Sequence, residues 1–184
     1  DLAGRLRFPL AVVEAVRKAV GPKVALIAKT NLSDGVRGGL EIDDAVAIGR
    51  ALEQAGVDAM LMSGGLVDRT PLYLLRGDRP LRGMIAVEKH PLQKVALAVA
   101  GPWVMRRYPF SELFFLDKAQ KMRAALDLPL ILLGGVVSRQ NLEQAMREGF
   151  EFVAMGRALI AQPTLIVSGS LVFSSQLTRI EGKR

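Results

Sequence analysis

The sequence predicts an α/β protein built on a parallel sheet, and three observations carry that prediction. Short apolar runs alternate with longer segments of helical spacing, two of the runs stop on glycine, and one βα unit is echoed along the chain. Four runs have strand length: VALIAK (Val24 to Lys29), VDAMLMS (Val57 to Ser63), PLILL (Pro129 to Leu133) and FEFVAM (Phe150 to Met155). Val24 to Lys29 is almost wholly apolar, as expected of a strand buried on both faces.

The helices fall between them. RLRFPLAVVEAVRKAVG (Arg5 to Gly21) has apolar residues at helical spacing and is stopped by Gly21-Pro22. A polar, glycine-rich loop, NLSDGVRGG (Asn31 to Gly39), follows the first strand, and a helix runs from about Ile42 to Gly56. Glu112 to Asp127 reads as a helix, and SRQNLEQAMREG as another, capped by Ser138 and closed by Gly149. The order αβαβαβαβ calls for parallel strands joined by right-handed crossovers. The connection from about Leu66 to Ser111 is far longer than a strand-to-helix loop needs. Its part from Thr70 to Phe110 is expected to form an excursion over the open end of the sheet, serving the substrate pocket or an oligomer contact. The echo is between AGVDAMLMSGG and EGFEFVAMGR: helix end, glycine, apolar residue, acid, strand, glycine. An α/β barrel repeats such a unit, and so can any parallel α/β protein.

Composition narrows the function. The chain has 184 residues, enough for one domain with a sizeable core, and half of them are hydrophobic, which places it among globular chains. With no cysteine and one histidine, a disulfide framework, a thiolate nucleophile, a thiolate metal site and a two-histidine site are all excluded, and no metal is expected. The net charge of +7 comes from scattered basic residues with few aromatics, so it reads as solvated helix faces and an anionic small ligand, not nucleic acid. No apolar run has the length of a membrane span and no leader pattern opens the sequence, so the expected location is cytoplasmic, with no membrane partner. His90, between Lys89 and Pro91, reads as an exposed loop residue, and Met60, Met62 and Met155 as core.

The two glycine-ended strands carry the chemistry. PLILLGGV stops on Gly134-Gly135, and FVAMGRALI stops on Gly156-Arg157 before a short helical segment, ALIAQP. In (β/α)8 barrels reactions occur at the C-terminal ends of strands, and a phosphate site is commonly built after the last two. Glycine lets backbone N–H groups approach phosphate oxygens without a Cβ between, and arginine adds a charge-assisted contact. One such pair is simply a tight turn with a surface arginine; two on consecutive strands favour a phosphate. Lys29 closes an apolar strand with a charge at the same end of the sheet.

These motifs, RLRFPLAVVEAVRKAVG, IAKTNLSDG, ALEQAGVDAMLMSGG, PLILLGGVVS and EGFEFVAMGRALIAQP, resemble in order and spacing those of the Old Yellow Enzyme-like NADH:flavin oxidoreductases. The resemblance covers about Arg5 to Leu165. It implies the C-terminal half, strands five to eight, of an FMN-binding TIM barrel, spanning residues 1–165; the tail, 166–184, departs from the family, and either disorder or a truncated or shifted reading frame would account for it. It implies that Gly134, Gly135, Gly156 and Arg157 hold the FMN phosphate. Lys29 would lie near flavin N1 and stabilise the negative charge of the reduced ring. Asn31 and Ser63 would touch flavin or substrate. The implied reaction is hydride transfer from NADH or NADPH, through FMN, to an activated alkene or similar small-molecule acceptor. The family's substrate-holding pair and tyrosine proton donor belong to its first half, so no catalytic residue is assigned here. A half-barrel has two open sheet edges; its expected partner is an N-terminal half-barrel or another copy of itself, and alone it is expected to be a poor catalyst. The alternatives are a non-catalytic half-barrel that only binds FMN or another phosphate ligand, and another class of phosphate-binding barrel.

Overall fold

The computed structural model describes residues 1–165; the expected tail, 166–184, lies outside them. Four parallel strands, β1 (Ile27–Asn31), β2 (Ala59–Ser63), β3 (Leu130–Leu133) and β4 (Phe152–Ala154), form one sheet in the order β1-β2-β3-β4. The helices are α1 (Leu2–Val20), α2 (Ile42–Gln54), α3 (Leu81–Val87), α4 (Pro91–Val104), α5 (Leu116–Ala125), α6 (Arg139–Arg147) and α7 (Arg157–Ala161). Each strand is thus followed by a helix before the next strand, the alternation that the hydrophobic pattern predicts.

The two faces of the sheet differ sharply. Register aligns Ala28 with Met60 and Met60 with Leu130, and Leu132 with Val153. On this face Met60, Met62, Leu130 and Leu132 are all 0 % exposed, packed with Ala45 of α2 and with Ala119 and Met122 of α5. The other face carries Ile27, Lys29 and Asn31 beside Ala59, Leu61 and Ser63, then Ile131, Leu133, Phe152 and Ala154. Here Leu61, Ile131, Leu133 and Phe152 are only half-buried, and Ile27 is 54 % exposed. Helices cover one face and leave the other open.

This corrects the expectation that the first strand is buried on both sides. The strand also starts later, at Ile27, because side chains take the backbone of Gly21 to Leu26. Arg17 donates to the carbonyls of Gly21 and Val24 at 3.0 and 2.8 Å, to that of Gly56 at 2.8 Å, and to the Asp58 carboxylate. Asp58 in turn accepts from the Leu26 N–H at 2.6 Å. The second half repeats the device. Arg123 donates to the carbonyls of Leu126 and Leu128 and to Glu151, which accepts from the Leu130 N–H at 2.9 Å. The acids of the echo, Asp58 and Glu151, are therefore staples that tie the start of one strand to the start of its neighbour.

Two further boundaries move. The helix expected from Glu112 begins at Leu116, since Leu113 takes a positive φ of 50° and its N–H goes to the Gly135 carbonyl at 3.1 Å. The long connection is partly helical: its arms meet at an antiparallel bridge between Gly77 and Tyr108, and α3 and α4 form a hairpin between them. The Ser138 cap is as expected, with its hydroxyl accepting from Asn141 N–H at 3.2 Å and the Asn141 side chain returning to the Ser138 N–H at 3.2 Å.

Candidate functional site

The C-terminal ends of the four strands form one rim. Asn31 aligns with Ser63 in the sheet, and Leu133 with Ala154, so the segments after them, 32–41, 64–70, 134–137 and 155–157, emerge side by side. Local chemistry fixes the first two. The Asn31 amide donates to Asp34 at 2.9 Å and to the Gly65 carbonyl at 2.8 Å. Asp34 accepts from the Leu40 N–H at 2.8 Å and closes its loop, as a turn carboxylate does. Thr70, buried, donates to the Asp34 carbonyl at 2.8 Å and joins the two loops. Asn31 therefore holds the rim together, and Ser63 is buried at the strand tip.

Gly134 and Gly135 both take positive φ, 115° and 75°. A side chain there would collide with the protein itself. A Cβ on Gly135 would lie 2.6 Å from the Ser111 carbonyl oxygen and 2.7 Å from the Leu113 nitrogen; one on Gly134 would meet the rings of Phe115 and Phe114. The pair thus lets the 111–115 turn sit directly on the end of β3. Gly156 is different: nothing lies within 4 Å of its Cβ position, and it faces open space. Arg157, the first residue of α7, is exposed, and its guanidinium reaches the Arg76 carbonyl at 3.3 Å.

Arg76 is a rim residue that sequence reasoning missed. Its guanidinium stacks over the Phe114 ring, 4.3 Å from the centroid, with Tyr73 at 5.2 Å. Its only sequence signal, an arginine in LYLLRGD, is indistinguishable from a surface residue until the turn carrying Phe114 is folded against Gly134. Lys29 lies two residues below the rim on the open face, exposed, beside Leu61.

This end carries charges of both signs, and three of its cations stand apart from the acids. Among the described residues Lys29, Arg76 and Arg157 form no ion pair, whereas Arg17, Arg107, Lys118 and Arg123 do. The carboxylates close by are engaged: Asp34 by the Leu40 N–H and Asn31, Glu112 by the Asn141 amide at 2.7 Å. These three cations without an ion pair, with an open glycine beside them, suit an anionic group such as a phosphate. No group of three or more metal-ligating side chains occurs among the described residues.

No family model matches the chain. It is 45% identical over 167 residues to the 4,4'-dithiodibutanoate disulfide reductase of Rhodococcus erythropolis, a match covering 90% of this chain and 41% of that protein. It is 25% identical over 160 residues to an NADH oxidase of Thermoanaerobacter brockii, covering 86% of this chain and 20% of that protein. Among solved structures, a 2-naphthoyl-CoA reductase in complex with 2-naphthoyl-CoA superposes with a TM-score of 0.63 at 22% identity, over 92% of this chain and 22% of that one. By name all three are oxidoreductases, and the structural likeness extends the α/β architecture to nearly the whole described chain. The chain spans about two-fifths of the length of the first relative and about a fifth of the other two.

Proposed function

We propose that this chain is the phosphate-binding half of a flavin-dependent NAD(P)H oxidoreductase, its four strands forming strands five to eight of a (β/α)8 barrel. The observation that carries the reading is the unpaired cationic rim at the C-terminal strand ends, set on a sheet whose second face is open. The names of the relatives support the reaction class. FMN is the cofactor best suited to the rim: a phosphate at Gly156 and Arg157, with Gly134 and Gly135 shaping the neighbouring turn, and Lys29 on the face where a flavin ring would lie. When bound, FMN would supply the hydride chemistry between a nicotinamide and a reducible small acceptor. The chain's own contribution is to anchor the phosphate, present a cation to the ring, and exclude water with the Leu61, Ile131 and Phe152 surface. Charge close to the ring favours its reduced, anionic form.

The open face also favours a second reading, a binding module without turnover. It exposes the side on which the rest of an active site would have to be assembled, so alone this chain binds flavin more readily than it catalyses. The deciding experiment is an absorbance spectrum of the purified chain after FMN addition and desalting, followed by NAD(P)H oxidation with and without the complementary half of a relative. Retained flavin with turnover only in the reconstituted sample supports the oxidoreductase half. Retained flavin with no turnover in either supports the binding module. Absence of flavin in both samples refutes the FMN reading.

A further inference from the structure

The hairpin of α3 and α4 presents an apolar surface that the rest of the described chain does not cover. On α4, Leu92, Val95, Val99 and Trp103 follow one another at spacings of three, four and four residues, which stacks them on one side of a helix. They are 75 %, 62 %, 69 % and 89 % exposed. The helix is held from behind only. Gly101 is buried, and a Cβ there would lie 2.6 Å from Leu81 of α3. Arg79 donates to the carbonyls of Pro102 and Met105, fixing the C-terminal end. A helix this apolar is ordinarily buried, yet here its long side faces outward.

The surrounding charges say what covers it. From Asp78 to Arg107 the hairpin and its flanks carry Arg79, Arg82, Lys89, Lys94, Arg106 and Arg107 against Asp78 and Glu88; Arg107 pairs with Asp78 and Arg79 is held by carbonyls, and the segment keeps a net positive charge. Two copies meeting on this face would bring like charges together. An anionic surface would be attracted. At 14 residues α4 is about 21 Å long, short of the ~30 Å hydrocarbon core, and no helix among the described residues is long and apolar enough to cross a membrane. The helix therefore suits lying in the plane of an interface, with Trp103 and the following arginines at headgroup level. We infer that the α3–α4 hairpin docks the protein peripherally on anionic lipid bilayers, the Leu92–Val95–Val99–Trp103 face entering the interface. This proposal runs against the expectation of no membrane partner and is independent of the flavin reading.

Trp103 is the chain's single tryptophan, so its fluorescence reports on this face alone. The test is emission and co-sedimentation of the full chain with phosphatidylglycerol–phosphatidylcholine vesicles, with phosphatidylcholine vesicles, and without lipid over a range of protein concentrations. Docking predicts a blue shift with the anionic vesicles, weakened by salt, and a partition coefficient at least about tenfold lower for Val95→Asp/Val99→Asp. Both valines are exposed, and an unchanged circular dichroism spectrum checks that the variant is folded. Three outcomes overturn the inference: no shift with anionic vesicles at low salt, equal binding by the variant, or a concentration-dependent shift and mass increase without lipid but none on adding vesicles, which would make the face a self-association surface.

Discussion

Single glycines at the two rim positions do opposite things, and substitution separates them. Gly135→Ala would force a Cβ into the backbone of Ser111 and Leu113 at a positive φ. The expected cost is about 2–4 kcal/mol, read as a lower urea midpoint, since backbone cannot move aside as a side-chain tip can. Gly156→Ala meets open space, so the unfolding midpoint should stay unchanged while FMN affinity falls if a phosphate approaches there. Arg157→Ala should weaken FMN binding by ~1.5–3 kcal/mol, the scale of a charge-assisted hydrogen bond; an unaltered dissociation constant by flavin fluorescence removes Arg157 from the site. At the other end of the sheet Asp58 gives a pH signature. Desolvation raises its pKa, but the Leu26 N–H and the Arg17 guanidinium outweigh it and the folded value lies below the ordinary 3.8. The folded state favours the charged form, so its stabilisation is complete above the unfolded pKa and is lost as pH falls through the lower folded value. The stability gap between wild type and Asp58→Asn should therefore close on acidification below about pH 4; a gap that persists unchanged to pH 2 would assign the effect to something other than this carboxylate's charge.

Elements are placed by a repeated device. In each half an arginine from the helix before a strand reaches carbonyls of the connecting turn, and an acid two residues after a helix-ending glycine takes an N–H at or just before the start of the neighbouring strand. Glu53 adds a third staple, accepting from Asp127 and Leu128 N–H at 2.8 and 2.9 Å. All of these lie at the N-terminal ends of the strands, away from the rim, where barrel architecture puts stability and not chemistry. Glu151→Ala should cost about 2 kcal/mol, because the Leu130 N–H loses its acceptor and Arg123 its partner beside a fully buried residue. An unchanged urea midpoint would show that water replaces the carboxylate. The echo of glycine, apolar residue and acid was legible in the sequence; its meaning was not, since the arginines stand 41 and 28 residues away and only folding brings them to the acids. The hairpin of α3 and α4 was hidden for another reason. Its apolar residues follow a helical period but face solvent, so pattern alone could not say whether they were core.

At the scale of the molecule, the open sheet face decides how the chain works. Its half-buried Leu61, Ile131, Leu133 and Phe152 leave apolar area in water, and each fully covered side chain of this size is worth roughly 1.5–3 kcal/mol. A complementary βα half should therefore bind, raise the unfolding midpoint and increase flavin retention together; a mixture that behaves as the sum of its parts would count against a barrel interface here. By itself the sequence determined the alternation of strands and helices, the parallel sheet, the Ser138 cap, the core methionines and the glycine and arginine positions of the rim. Those follow from periodicity, capping and turn chemistry, which act over a few residues. Only the tertiary structure decided that one sheet face is sealed and the other open, that Gly134 and Gly135 seat the 111–115 turn while Gly156 stays clear, and that Arg76 joins Arg157. Each of these depends on which distant segments pack together, and burial and proximity are properties of packing that no local pattern encodes.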